Sequence, residues 1–204
     1  MRYHDDIRSC RHTRATRPVT WHRLASRPVH MLPPAHDYAA ITRAILDGYS
    51  LHPRGDHGVV HWARVHENGV RIAQAVGGDQ EVVRLFALFH DARRLNEWED
   101  EGHGQRGADL AWSLRGTLVH LNDVRFDLLY EACRLHTIGV RHDHPTVQAC
   151  WDADRLDLGR VGIVPSPRRL LTEAARALLP WAHERAERGE EPVEVLRGWG
   201  VVGE

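Results

Sequence analysis

The sequence predicts an all-α fold, a single helical bundle, and three observations carry that expectation. Apolar residues between 37 and 188 recur at helical spacing, and strand-like alternation is nowhere sustained. Gly, Pro and Asp break the pattern at helix-length intervals. One segment, 80–91, is apolar nearly all round, as a helix at the centre of a domain must be.

The segments follow in order. Residues 1–34 mix Arg, His, Thr and Pro without apolar periodicity and read as an arm with no fold of its own, with Met31 as an alternative start. A helical domain is expected over 35–189. Its first helix covers about 37–47 and stops at Asp47-Gly48; the second covers about 57–76 and stops at Gly77-Gly78. Asp79 can cap the third, 80–91, which carries Val82, Val83, Leu85, Phe86, Ala87, Leu88 and Phe89. Helices at 103–115, 123–137 and 145–157 follow, the last with Pro145 in its first turn. Residues 158–168 read as a loop, 170–188 as a final helix with a candidate kink at Pro180, and 190–204 as a partly ordered tail.

Bulk composition narrows the function. With 204 residues, 42% hydrophobic, the chain can bury one real core. A net charge of -1 gives no clear nucleic-acid or membrane surface, although residues 1–30 hold seven Arg against two Asp. All 27 basic residues are Arg, so any phosphate clamp must be a guanidinium, and a lysine Schiff base or a P-loop lysine is excluded. Three cysteines without metal or disulfide spacing fit a reducing compartment. With no secretory stretch and no apolar run near the ~20 residues of a membrane span, a cytoplasmic location is expected.

Helical phase then selects candidates from the 16 histidines. His61 shares a stripe with Val65 and Ile72, and His57 lies one turn earlier on that face, while His66 is rotated about 140° away. His90-Asp91 ends the most apolar helix. Asp154 lies among Val147, Cys150, Trp151 and Leu158, whereas Asp152 is rotated about 160° from it and is expected to face outward. His103 continues the stripe of Gly107, Leu110, Ala111 and Leu114; His136 continues that of Phe126, Leu129, Tyr130 and Cys133. Each has a plain structural explanation: a core histidine bonded to backbone, a helix-end acid in water, or an Asp154–Arg ion pair. Their convergence from five helices points instead to a divalent metal, since buried carboxylates need a counter-charge. Imidazole plus carboxylate without thiolate suits Mn, Fe, Zn, Ni or Co, and Mg stays open, with one ion or two.

The order His61 … His90-Asp91 … Asp154 resembles the HD superfamily. His61-Trp-Ala-Arg64-Val65 is similar to that family's first histidine with its Arg-Val turn, Leu88-Phe89-His90-Asp91 to its HD helix end, and Ala153-Asp154-Arg155-Leu156 to its closing Ala-Asp-x-Leu. His103 in His-Gly-Gln-Arg-Gly-Ala and His136 after Ala132-Cys133-Arg134-Leu135 resemble the extra histidines of dinuclear members. The resemblance spans 50–160. It implies metal-dependent hydrolysis of a phosphoester or phosphoanhydride in a small-molecule substrate, a nucleotide being the first candidate. His61, His90, Asp91 and Asp154 would hold the first metal, with His103 and His136 serving a second. Asp91 and Arg94 would be catalytic, and His57, Arg64 and Arg155 would contact substrate. Arg94 stands where some members carry a phosphate-contacting lysine. The Glu-Asp pair of guanosine-tetraphosphate hydrolases and the Gly-Tyr-Pro element of cyclic-dinucleotide phosphodiesterases are missing. Two other readings follow from the same residues: a di-iron oxygenase of this fold, and a non-catalytic metal-containing module that binds a nucleotide or partner. Helical domains of this size often pair, so a homodimer is also open.

Overall fold

The computed structural model describes residues 36–201, so the expected arm over 1–34 lies outside the described residues. Eight α-helices are described: α1 Tyr38–Leu46, α2 Val59–Val76, α3 Gln80–Phe89, α4 His103–Ser113, α5 Asp123–Leu135, α6 Pro145–Arg155, α7 Glu173–Glu187 and α8 Val193–Gly198. Two 3-10 turns, Leu158–Val161 and Pro167–Arg169, lie between α6 and α7, and no strand occurs among the described residues.

The helices start where side chains satisfy their free amides. Asp37 accepts from Ala40 N–H, Asp79 from Glu81 and Val82 N–H, Asn122 from Arg125 N–H, and Thr172 from Ala175 N–H. Gly77, left-handed at φ 74°, closes α2. α2 begins at Val59 behind Gly58, not at 57, and α7 begins at Glu173, not at 170, continuing through Pro180.

α3 is the central element. Every residue from Leu85 to Phe89 is buried, and α1, α2, α4, α5 and α6 all pack around it. α2 lies along α3 and α6, and α4 pairs with α5. Two glycines set how closely these helices meet. A Cβ on Gly69 of α2 would sit 2.4 Å from Val83 Cγ1 of α3 and 3.2 Å from Ala153 Cβ of α6. A Cβ on Gly107 of α4 would sit 2.1 Å from the Phe89 carbonyl oxygen at the end of α3. Bare backbone at both places draws four helices onto the segment His90-Asp91.

The C-terminal segment differs from the expected tail. Residues 193–198 form α8, burying Val195 and Leu196, and Trp199 stacks edge-on against His66 with ring centroids 5.8 Å apart. His66 does face away from His61, as its phase predicts, but into this second contact. Burial brings its pKa down to about 3. A six-residue helix is too short for periodicity to reveal. No described helix is long and apolar enough to cross a membrane.

Candidate metal centre

Five helices deliver six side chains to one place. His61 projects from the first turn of α2; His90 and Asp91 follow the last turn of α3; His103 opens α4; His136 closes α5; Asp154 lies near the end of α6. All are buried except Asp154, whose side chain keeps 21% exposure and marks the open side of the cluster. Asp154 keeps to the apolar stripe of α6, and that stripe reaches the surface at the helix end.

The four histidines share one arrangement. His90 Nδ1 lies 3.2 Å and 3.1 Å from the carbonyls of Phe86 and Ala87, His103 Nδ1 2.6 Å from that of Asp100, and His136 Nδ1 2.8 Å from that of Cys133. A carbonyl can only accept, so each Nδ1 carries the proton and each neutral ring presents an Nε2 lone pair. His61 is held likewise by a carboxylate, with Nδ1 2.7 Å from Asp157 Oδ2. These lone pairs meet head-on: His61 Nε2 is 3.1 Å from His90 Nε2, and His103 Nε2 is 3.0 Å from His136 Nε2. Two facing pairs of acceptors are repulsive without a cation between them.

Asp91 joins the two pairs. Its Oδ2 lies 3.6 Å from His61 Nε2 and 3.7 Å from His90 Nε2, while Oδ1 lies 3.1 Å from His103 Nε2 and 3.7 Å from His136 Nε2. Oδ1 is buried and accepts no hydrogen bond, an orphaned anion that needs a partner. Asp154 Oδ1 completes the first set at 3.4 Å from His61 Nε2 and 3.8 Å from His90 Nε2. Metal bonds of about 2.1 Å place neighbouring donors about 3.0 Å apart in octahedral and about 3.4 Å in tetrahedral geometry. The donors present fit a divalent ion in each set: His61, His90 and Asp154, and Asp91, His103 and His136. A third grouping, His57, His61 and Asp91, overlaps the first.

Electrostatics agree with that donor set. Burial, with the nearby Arg160 cation, drives the His61 pKa well down, and burial brings His90 to about 4, so both rings are neutral and ready to ligate. Burial works against ionised Asp91 and Asp154, but the imidazoles around them win and hold both below the usual carboxylate range. Burial works against a charged His136, but the nearby Asp91 and Asp154 carboxylates raise its pKa above the ordinary value.

No known family profile matches the chain, and no curated protein matches it. Among solved structures, a protein from an uncultured Thermotogales bacterium, described as a predicted HD superfamily hydrolase, matches with a TM-score of 0.57 at 24% identity. The match covers 79% of this chain and 92% of that one. The chain shares the all-helical fold of that protein. Within this fold the convergent histidines and aspartates sit where helices α2 to α6 meet.

The remaining expected residues are placed unequally. His57 lies in the turn before α2, its Nδ1 2.7 Å from Asp91 Oδ2. Arg94 reaches the second set, with Nη1 3.5 Å from Asp91 Oδ1 and 3.2 Å from His103 Nε2. Arg64 is directed elsewhere: its guanidinium donates to both carboxylate oxygens of Asp157 and to the Glu190 carbonyl. Arg155 also leaves the cluster, donating to the carbonyls of Gly139 and Arg169. Arg64 and Arg155 thus spend these bonds on local acceptors and not on the donor cluster, although Arg64 also lines the cavity beside His61.

Three further residues belong to the site's frame. Asp157, fully buried, clamps His61 on one side and Arg64 on the other. Arg160 brings Nη2 within 3.2 Å of His57 Nδ1 and donates to the Asp56 carbonyl. Asp152 is buried, not outward-facing, and accepts from Leu171 N–H, Thr172 N–H and the Thr172 hydroxyl. Its helical phase turns it from the cluster, as predicted, but α7 covers that face. Asp157 closes the expected helix 145–157 three residues beyond Asp154, so its phase is there to be read, whereas Arg160 lies in the segment expected as a loop and has none.

Proposed function

We propose that this protein is a metal-dependent phosphohydrolase acting on a phosphoester or phosphoanhydride of a small-molecule substrate. The observation that carries the reading is the bridging geometry of Asp91, whose two oxygens face two separate pairs of Nε2 lone pairs. A divalent cation there supplies Lewis acidity, lowering the pKa of water from about 15.7 toward about 7. Asp91 then orients the attacking water, which displaces the alcohol or phosphate leaving group at phosphorus. Arg94 and Arg160 flank the cluster and neutralise charge on the transferring phosphoryl. Substrate enters on the side where Asp154 is exposed. A cytoplasmic setting belongs to this reading and is supported by the free, buried thiols of Cys133 and Cys150.

Elemental analysis of purified protein, followed by a phosphoester and phosphoanhydride panel with the metals found, tests the proposal. His90→Ala and Asp154→Ala are each expected to abolish metal-dependent hydrolysis. Wild-type protein inactive across metals and panel would refute it. The six-donor, thiolate-free set is also what a di-iron oxygenase of this fold would use. Two irons in anaerobically isolated protein, with substrate-dependent oxygen uptake, would decide for that chemistry. Metal with ligand binding and no turnover would mark a non-catalytic module.

A further inference from the structure

Ten large hydrophobic side chains are exposed among the described residues, and their distribution is uneven. Seven of them fall in three short segments: two in 95–98, two in 138–140 and three in 161–164. The first two segments adjoin cluster residues along the chain, and the third adjoins Arg160. The first lies between Asp91 and His103, and Arg94 ties it to the site by donating to the Trp98 carbonyl while approaching Asp91. Glu97 in the same segment has Oε2 4.0 Å from His57 Nε2. The second begins two residues after His136, so its first Cα lies within about 7.6 Å of the His136 Cα. The third follows Arg160, the neighbour of His57. Arg155 further links the second segment to the chain beyond the third, donating to Gly139 and Arg169 carbonyls. Trp98 is 84% exposed, Val140 81%, Ile138 72% and Val164 70%.

The cavity beside His61 has the opposite character. It encloses about 290 Å³ and is lined mainly by charged groups, including Arg54, Asp56, Arg64, Arg160 and Glu191. A phosphoryl head suits that charged cavity and an apolar body does not; among the described residues, most of the exposed large apolar side chains gather in the three segments that adjoin the site along the chain. Six of the seven rim side chains are aliphatic, which favours a flexible hydrocarbon over a planar base.

We infer that the apolar rim formed by Leu95, Trp98, Ile138, Val140, Ile163 and Val164 holds the alkyl or prenyl chain of an apolar alcohol's phosphate ester, with the phosphate at the metal cluster. This rests on the phosphohydrolase reading and replaces the nucleotide expectation with an amphiphilic substrate. Burying each added methylene against the rim raises kcat/KM by up to about fourfold.

The test is a homologous series of straight-chain alkyl phosphates, C2 to C10 and below their micellar concentrations, with glycerol phosphate and AMP alongside, using the metal-loaded full chain. The expected result is kcat/KM rising two- to fourfold per methylene over several carbons, with AMP and glycerol phosphate at the foot of the series. Ile138→Ser and Trp98→Ala should each flatten the slope. A flat series from an enzyme that hydrolyses glycerol phosphate, or AMP preferred over every alkyl ester, overturns the rim assignment while leaving the hydrolase intact. Hydrolysis of nothing in the series or panel instead removes the hydrolase reading itself. A flat series with a dimer that dissociates on Ile138→Ser would give the rim to a second copy of this chain.

Discussion

The two donor sets are built on different principles. His61, His90 and Asp154 come from three helices crossing at the domain centre, and a buried carboxylate, Asp157, holds His61 by its Nδ1. His103 and His136 come from the neighbouring pair α4 and α5 and are held only by backbone carbonyls. The first set has its own carboxylate in Asp154 and shares Asp91; the second has only its share of Asp91 and lies against the Arg94 cation. A divalent ion therefore meets more negative charge and stiffer support in the first set. The six residues thus offer one candidate site richer in charge and support and one poorer.

The sharpest break would come at the shared residue. Asp91→Asn is expected to strip both sets, with elemental analysis finding no retained metal and hydrolysis falling to background. His61→Ala should match that loss, whereas His103→Ala should keep close to one metal per chain; equal losses from both would collapse the distinction. Next in size is Asp157→Asn, expected to weaken the first site about 10- to 100-fold by freeing the His61 ring, measured by competition with a chelator. Arg94→Ala should act in opposite senses: second-site affinity rises, by about tenfold at most as a nearby cation is removed, while turnover falls.

The smallest effect lies outside the cluster. Asp79→Ala removes the α3 cap and should cost about 1 kcal/mol, or about 2–4 °C in Tm, with metal stoichiometry unchanged. Burial opposes ionised Asp79, but Arg125 and the capped amides hold its pKa below the ordinary value. A depressed carboxylate stabilises fully above its unfolded pKa and loses that contribution as pH falls through the folded one. The gap between wild type and Asp79→Ala should accordingly narrow in acid.

Legibility in the sequence followed the same division. His61, His103, His136 and Asp154 were readable because each sits on a periodic stripe, and His90-Asp91 because it ends the most apolar helix; phase separates Asp154 from Asp152 without any relative. Phase says which way a side chain points, not what covers that face, so Asp152 looked exposed where α7 lies over it. Arg64 carried a motif position but not its partner: its acceptor, Asp157, is 93 residues away and invisible to local pattern. Arg160 and α8 lay in segments too short or irregular for any period to emerge.

Gly69 carries a last consequence. It sits eight residues, about 12 Å of helix, from His61, and touches no donor, yet its missing methyl lets α3 and α6 close on α2. The gap between donor atoms is thus set remotely, like the jaw width of a caliper fixed at its hinge. Gly69→Ala would open that jaw and tilt ionic preference toward larger cations, without altering a single ligand.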